Sequence, residues 1–365
     1  MTRREREILR LLEDDPQLSQ SAIATTLSIS RSAVAGHIRN MTAKGIIKGR
    51  AYVLGDSAFV AVVGGAAVDI HGRSTSSLRR HDSNPGEIRV TTGGVARNIA
   101  ENLGRLGVDS RLLTVVGEDP HGDLVLQRTK AAGVDTRFVR RARDVTTACY
   151  LAALSNSGEL EVAISDQSAL RAFDTSYLLQ HETMLKRARV IVADTNLPDA
   201  ALRYLCETFP QIPLFVDTVS APKAPRIKPL LSAVHTLTPS LAEAHELSGI
   251  AGNSSAALKT MGRWFHDQGV YRVFITRGRK GVFFSVDGEA GTMPAIGPVS
   301  AISTNGAGDA FTAALTAAWI KNWDFQTSVN FALAASCHTL GDAETVSPSL
   351  SEETLRKLSE QRHAI

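Results

Sequence analysis

Residues 303–309 read STNGAGD and run directly into an alanine-rich stretch, AFTAALTAA. Small residues at a helix start leave the backbone N–H groups of Gly306, Ala307 and Gly308 without intrahelical partners, and the helix dipole adds to them. The segment therefore reads as a cradle for an oxyanion or a phosphate. Asp309 falls in the first turn, beside that cradle, where it can take a proton from a hydroxyl attacking a phosphoryl group held there. An aspartate in a first turn is also a plain partner for the dipole, so the segment alone leaves both roles open.

A second constellation lies in the first half of the chain. GGVARN, residues 93–98, opens a helix expected over 95–106. Gly93 and Gly94 permit close backbone approach, and Asn98 can both give and accept hydrogen bonds with a diol. Upstream, GGAAVD ends the first expected strand at Asp69, presenting a carboxylate where α/β sheets bind ligands, although such a residue can also cap a turn.

These residues need a scaffold, and the chain from Ala58 onward supplies the pattern of one. The runs FVAVVGG, SRLLTVVG, RVIVAD, PLFVD, VHTLTPS and RVFITRG alternate with amphipathic stretches, which predicts a mainly parallel sheet with helices on both faces. Residues 70–92 and 145–165 break the rhythm. They read as antiparallel strands turning at Asn84 to Gly86 and Asn156 to Gly158, and so as a small sheet standing off the main one as a lid. Residues 351–365 read as a terminal helix and tail.

Residues 1–54 have a different character. They carry nine Lys or Arg against five Asp or Glu, whereas the rest carries 31 against 32, so the net charge of +3 comes from the front. REREILRLLE places Ile8, Leu9, Leu11 and Leu12 on one side of a helix that Pro16 ends. Ser19 can cap a second helix carrying Ile23, Ala24 and Leu27, and Ser30 a third reaching Lys44. Residues 46–54 form a β-prone tail, and Gly55 to Ser57 a linker. The arrangement resembles a winged helix-turn-helix. That resemblance implies duplex DNA as partner, with Arg31, Ser32 and Gly36 at base edges and Arg39, Lys44, Lys48 and Arg50 on phosphates. A packing or dimerisation module that has kept the fold and lost DNA is the alternative.

Composition narrows the remaining classes. With 365 residues, 43% hydrophobic and 21% charged, the chain has globular proportions. No apolar run approaches the ~20 residues of a membrane span, and the charged start does not resemble a signal peptide, so a cytoplasmic protein with no membrane partner is expected. Cys149, Cys206 and Cys337 are too scattered for a zinc ribbon or a disulfide framework.

Taken together, the GGVARN, GGAAVD and GAGD segments resemble the ribokinase family, the PfkB-type carbohydrate kinases, over roughly residues 58–350. The resemblance implies a three-layer α/β/α fold with a β-sheet lid, ATP and magnesium as cofactors, and phosphoryl transfer to an alcohol. Asp309 would be the base, with Gly306, Ala307 and Gly308 as the anion hole, and Asp69, Gly93, Gly94 and Asn98 would hold sugar hydroxyls. Thr276, Gly278 and Gly281 match the nucleotide loop, Asn305 precedes the cradle, and Ser336 lies in the adenine segment 332–339. Glu243 matches the glutamate that organises magnesium.

Three departures stand out. Ser240 replaces the Asn of N-x-x-E, Ala67 stands where many sugar kinases have Asn, and Ser303 replaces the Asp of DTxGAGD. The last leaves activation by potassium open. The front domain, the lid strand TACYLAALSNSGELEVAISD and the phrases ADTNLP and VDTVSAPKA look most like the pseudouridine kinase branch. This implies a nucleoside 5'-hydroxyl as acceptor, with Asp166 on base or ribose and Lys223 on a phosphate, unless these are a turn residue and a surface charge. A free-sugar kinase and a ligand-sensing regulator with a kinase-like body are the alternatives. A homodimer is expected from the lid and the winged helix.

Overall fold

Two serines set where helices begin in the front segment: the hydroxyls of Ser19 and Ser30 accept from the amides of Ala22 and Ala33. The computed structural model describes residues 1–14, 18–47, 58–79, 81–297 and 305–360. The chain divides into two units, Met1–Ser57 and Ala58–Ile365. The first contains α1 (Arg3–Asp14), α2 (Gln20–Thr26) and α3 (Arg31–Ala43). Ile8, Ile23, Val34, Ile38 and Met41 form its buried centre. The reversal between α2 and α3 passes through Ser28 in the left-handed region, φ 51°. The expected tail from Lys48 and the linker lie outside the described residues.

The second unit opens with β1 (Val60–Val63), β2 (Ala67–Ser74), β3 (Gly86–Gly93), α4 (Val95–Arg105), β4 (Ser110–Leu113), β5 (Val115–Gly117), α5 (Pro120–Ala131) and β6 (Arg140–Ala142). Next come β7 (Cys149–Leu154), β8 (Leu160–Asp166), α6 (Thr175–Gln180), α7 (Glu182–Leu185), β9 (Val190–Asp194), α8 (Asp199–Thr208), β10 (Leu214–Asp217) and β11 (Thr236–Leu237). The unit closes with α9 (Leu241–Ser248), α10 (Ser255–Asp267), β12 (Arg272–Thr276), β13 (Val282–Val286), β14 (Glu289–Met293), α11 (Ala307–Ile320), α12 (Phe325–Leu340) and α13 (Glu352–Glu360).

Eight strands make the main sheet in the order β14-β13-β12-β11-β10-β9-β1-β4. Pairing is parallel from β4 to β12 and antiparallel at β13 and β14. Strands covered on both faces need apolar side chains on both, as β1 (VAVV) and β9 (VIVAD) have. Val60, Val62, Val190 and Val192 pack into one layer with α4, α11, α12 and α13, where Leu355 is fully buried. Ala61, Val63, Ile191 and Ala193 pack into the other with α6 to α10. This is the three-layer α/β/α arrangement that the resemblance implies.

Two expected strands are shorter than their apolar runs. SRLLTVVG breaks at Thr114, whose carbonyl accepts from Arg140 N, and β5 leaves to pair with β6. VHTLTPS keeps only β11, because Pro239 has no N–H for a ladder and Ser240 already caps α9. The lid is a four-stranded sheet, β3-β2-β7-β8, with antiparallel outer pairs and a parallel centre. Among the described residues no helix is long and apolar enough to cross a membrane.

Candidate active site

β1 lies between β4 and β9, and the chain runs from β1 outward to β4 and then back across to β9 on the other side, which opens a crevice beyond the strand C-termini. A cleft of about 370 Å³ occupies that place. Asn196, Asp217, Val219, Thr238, Ser240 and Thr276 line it from the ends of β9 to β12 or just beyond. The lid, the heads of α4 and α11, Lys223, Glu243 and Thr345 supply the remaining walls.

At the head of α11, Gly306 is the N-cap with φ 81°. A β-carbon there would stand 1.9 Å from the carbonyl oxygen of Thr345, so only glycine brings this turn into the cleft. Asp309, on the first turn, is buried and accepts 2.7 Å from Asn98 Nδ2. Asn98 Oδ1 in turn accepts from Arg97 Nη1 at 2.9 Å, with the Thr345 hydroxyl 3.4 Å away. Asn98, expected to bind a diol, thus faces the cleft with its amide already engaged by protein groups.

Asp309 is not the only buried carboxylate here. Asp194 accepts from the amides of Gly65, Ala96 and Asn196, clamping the end of β1 and the start of α4 to β9. Asp217 accepts from Val219 N and the Thr312 hydroxyl. Burial pushes Asp309 up to about 7, against the Asn98 hydrogen bond and with help from Asp194 and Asp69. Asp217 is also raised, first by burial and then by Asp309. A buried carboxylate poised near neutral pH beside free helix N–H groups can accept a hydroxyl proton while those groups stabilise an anion.

The lid meets the cleft through one row of its pleat. Thr91 pairs with Asp69, Asp69 with Tyr150, and Tyr150 with Ser165. Asp69, Tyr150 and Ser165 line the cleft, together with Gln167 just beyond β8. Asp69 sits on β2 in the lid, not at the end of the first strand as expected, because β1 stops at Val63. Gly93 makes room for its carboxylate, since a β-carbon there would lie 2.2 Å from Asp69 Oδ2. Burial raises Asp69 despite His71 and Arg97.

Asp166 requires correction. One residue past Ser165, it shares strand parity with the exposed Val162 and Ile164, and its carboxylate accepts from Ser168 N. It does not line the cleft. In the neighbouring row Val90, Leu151 and Ile164 are exposed, Ile164 to 63%, while Ile70 packs against the cluster of Val68, Val116 and Val125.

Residues 57–352 match the pfkB family carbohydrate kinase. The chain belongs to this family. It is an alcohol-phosphorylating kinase acting on sugars or nucleosides, and residues 1–48 match a winged helix-turn-helix DNA-binding domain. The chain is 38% identical to the pseudouridine kinase of Escherichia coli over 308 residues, 84% of this chain and 98% of that one. It is 36% identical to the uncharacterized sugar kinase YeiI of the same organism over 359 residues, 98% and 99% of the two chains. The Arabidopsis thaliana ribokinase complexed with ribose and ATP shares the fold, with a TM-score of 0.76, 22% identity, and 83% and 99% of the chains covered.

Within this kinase, Glu243 and Ser240 form a reciprocal capping box for α9: Glu243 Oε2 accepts from Ser240 N at 2.7 Å and from the Thr218 hydroxyl at 2.6 Å. Glu243 still lines the cleft, as do Gly94, Gly308, Asn305 and Lys223. The Lys223 ammonium donates to Asn196 Oδ1, and burial lowers its proton affinity. Gly278 and Gly281 shape the turn from β12 to β13, where Arg277 N donates to Gly281 O, but only Thr276 of that loop lines the cleft. The Ser336 hydroxyl donates to Ala307 O and so braces α12 against the helix head. Ser303 lies outside the described residues.

Sequence reasoning missed Asp194, Asp217, Arg97, Tyr150, Ser165, Gln167 and Thr345. Asp194 and Asp217 carried a usable signal, since each ends an apolar run where a parallel strand delivers its ligand groups. Thr345, by contrast, sits in a loop without a motif.

In the front unit, Arg31, Ser32 and Arg39 are exposed on α3, and Gly36 is partly covered. Lys44, expected on a phosphate, is half exposed, and its ammonium is 2.9 Å from the buried Glu5 carboxylate on α1. Lys48 and Arg50 lie outside the described residues.

Proposed function

We propose that the enzyme transfers the γ-phosphoryl group of ATP to the 5'-hydroxyl of a nucleoside, with pseudouridine the first candidate. The observation that carries this reading is the inward row of the lid. It places Tyr150, Ser165 and Gln167, an aromatic ring and polar groups suited to a base, on the cleft that also contains Asp69, Asn98 and Asp309. Identity to a pseudouridine kinase supports it. The acceptor hydroxyl gives its proton to Asp309 as its oxygen attacks the γ-phosphorus and the bond to ADP breaks. N–H groups at the head of α11, from Gly306, Ala307 and Gly308, take up the developing charge.

Magnesium is commonly held by one or two carboxylates, waters and substrate phosphates. Glu243 suits that chemistry, a hard oxygen donor fixed in the cleft by Ser240 and Thr218. When bound, the metal supplies charge neutralisation on the phosphates. Thr276, Gly278, Gly281, Asn305, Lys223 and Ser336 belong to the nucleotide side of this reading.

A free-sugar kinase is the second reading, favoured because the relative matching 98% of this chain, front segment included, is named a sugar kinase. kcat/KM for pseudouridine, the common nucleosides and ribose separates the two. Preference for ribose or a hexose overturns the nucleoside assignment.

For the front unit, the proposed partner is duplex DNA, read by Arg31 and Ser32 with Arg39 on phosphate. Selection from random DNA with the full chain, compared with a chain beginning at Ala58, tests it. Equal affinity of the two forms would overturn DNA binding and leave the kinase reading intact.

A further inference from the structure

Arg97 is the residue of α4 that the reaction described above leaves without a role. It is 2% exposed, and nothing in the GGVARN motif explains why a guanidinium should be buried there. Its Nη1 donates to Thr92 O at 3.0 Å and to Asn98 Oδ1 at 2.9 Å. Its Nε approaches the Thr129 hydroxyl at 3.3 Å, and its Nη2 pairs with Glu101, which also binds Arg105 at 2.7 Å. Two arginines thus share one glutamate, and Arg128, Asp69 and Glu344 are the other charges acting on Arg97.

An asparagine amide can face either way. Here its oxygen is turned toward the Arg97 guanidinium, so its NH2 must point the other way, into Asp309 Oδ2. Thr345 belongs to the same arrangement: its hydroxyl also reaches Thr92 O, the carbonyl that Arg97 binds, and its own carbonyl closes over Gly306. The result is a relay from a buried cation, through one amide of fixed sense, to one oxygen of Asp309.

We propose that Arg97 is a positioning residue for phosphoryl transfer: it fixes the sense of the Asn98 amide, which occupies Oδ2 of Asp309 and leaves Oδ1 to receive the proton of the acceptor hydroxyl. This rests on Asp309 being the base. Arg97 also opposes the carboxylates that crowd Asp309, namely Asp194 from β9, Asp69 from β2 and Asp217 from β10, with Glu243 of α9 beyond Asp217. Removing the cation makes Asp309 bind its proton more tightly, so the acid side of the activity profile moves to higher pH. A lysine would keep the charge but lose the planar fork that contacts Thr92 O, Asn98, Thr129 and Glu101 together.

The experiment uses the full chain with Arg97→Met, Arg97→Lys and Asp309→Asn, measuring kcat, kcat/KM against pH, and thermal midpoint. Arg97→Met should lower kcat about 10- to 100-fold, the size that misplacing a reacting group produces, and move the acid limb to higher pH. Arg97→Lys should lose rate while its acid limb stays near that of the wild type. Should Arg97→Met fail to fold, Arg97→Lys alone decides, and a wild-type rate overturns the proposal. A folded Arg97→Met with unchanged kcat and an unmoved limb also overturns it. If Asp309→Asn keeps near wild-type activity, the base assignment itself is what fails.

Discussion

Asn98 holds one oxygen of Asp309, and the proposed base is left with the other. Asp309→Asn keeps size and removes the proton acceptor, so kcat should fall ~100- to 10,000-fold while ATP still binds; steady-state rates and nucleotide titration check both. Burial raises Asp309 to about 7, and only its deprotonated form accepts a proton, so kcat/KM should decline as pH drops below that value. A flat profile from pH 8 to pH 5 would contradict it. At this scale the sequence was informative wherever a motif joins residue type to a helix start, as in GAGD. It misled at Asp166, where one step along a strand reverses the side-chain direction and only the pairing of Tyr150 with Ser165 settles which face is inward. It was silent about Arg97 and Thr345, whose roles depend on contacts between segments more than 240 residues apart in the case of Thr345 and Asn98.

Among the elements, α11 and the lid matter most to the reaction. Gly306→Ala forces a side chain into the left-handed region, at about 1–2 kcal/mol, and against the Thr345 carbonyl. The helix head must shift, and kcat should fall on the order of 100-fold with smaller loss of substrate affinity. In the lid, Tyr150→Ala removes an aromatic surface that for a stacked base is worth about 1–3 kcal/mol. It should raise KM for nucleosides and leave ribose turnover nearly unchanged, as paired kinetic measurements will tell. Strand and helix alternation from Ala58 onward was legible because buried parallel strands are apolar on both faces. The division of SRLLTVVG was not, since both halves are equally apolar and only the pairing of β5 with β6 separates them.

For the molecule as a whole, two units of different charge share one chain. Lys44→Ala should destabilise the front unit, because Glu5, 1% exposed, loses the ammonium that holds its carboxyl below the usual range, followed by its bond to Thr2 N. Arg39→Ala should leave folding intact and reduce the salt dependence of DNA affinity. Melting and binding isotherms on the two variants separate these effects. If the expected homodimer uses the exposed apolar residues of the lid, Val90, Leu151 and Ile164, then Ile164→Lys should shift the protein toward monomer in sedimentation.

The cluster of buried carboxylates also bears on heat resistance. A carboxyl whose proton affinity is raised by folding favours the native state at pH below its folded value, and that contribution disappears as pH rises from the unfolded carboxylate range through the folded one. For Asp309 the window ends near 7, and Asp217 acts in the same sense. Through Asp309 the unliganded enzyme loses melting temperature between pH 5.5, where this carboxyl is neutral, and pH 8, where it is charged, a difference that the buried His235, lowered to about 4, opposes on the acid side. Asp309→Asn should abolish part of that difference and raise the melting temperature at pH 8, so that the inactive variant outlasts the enzyme it came from.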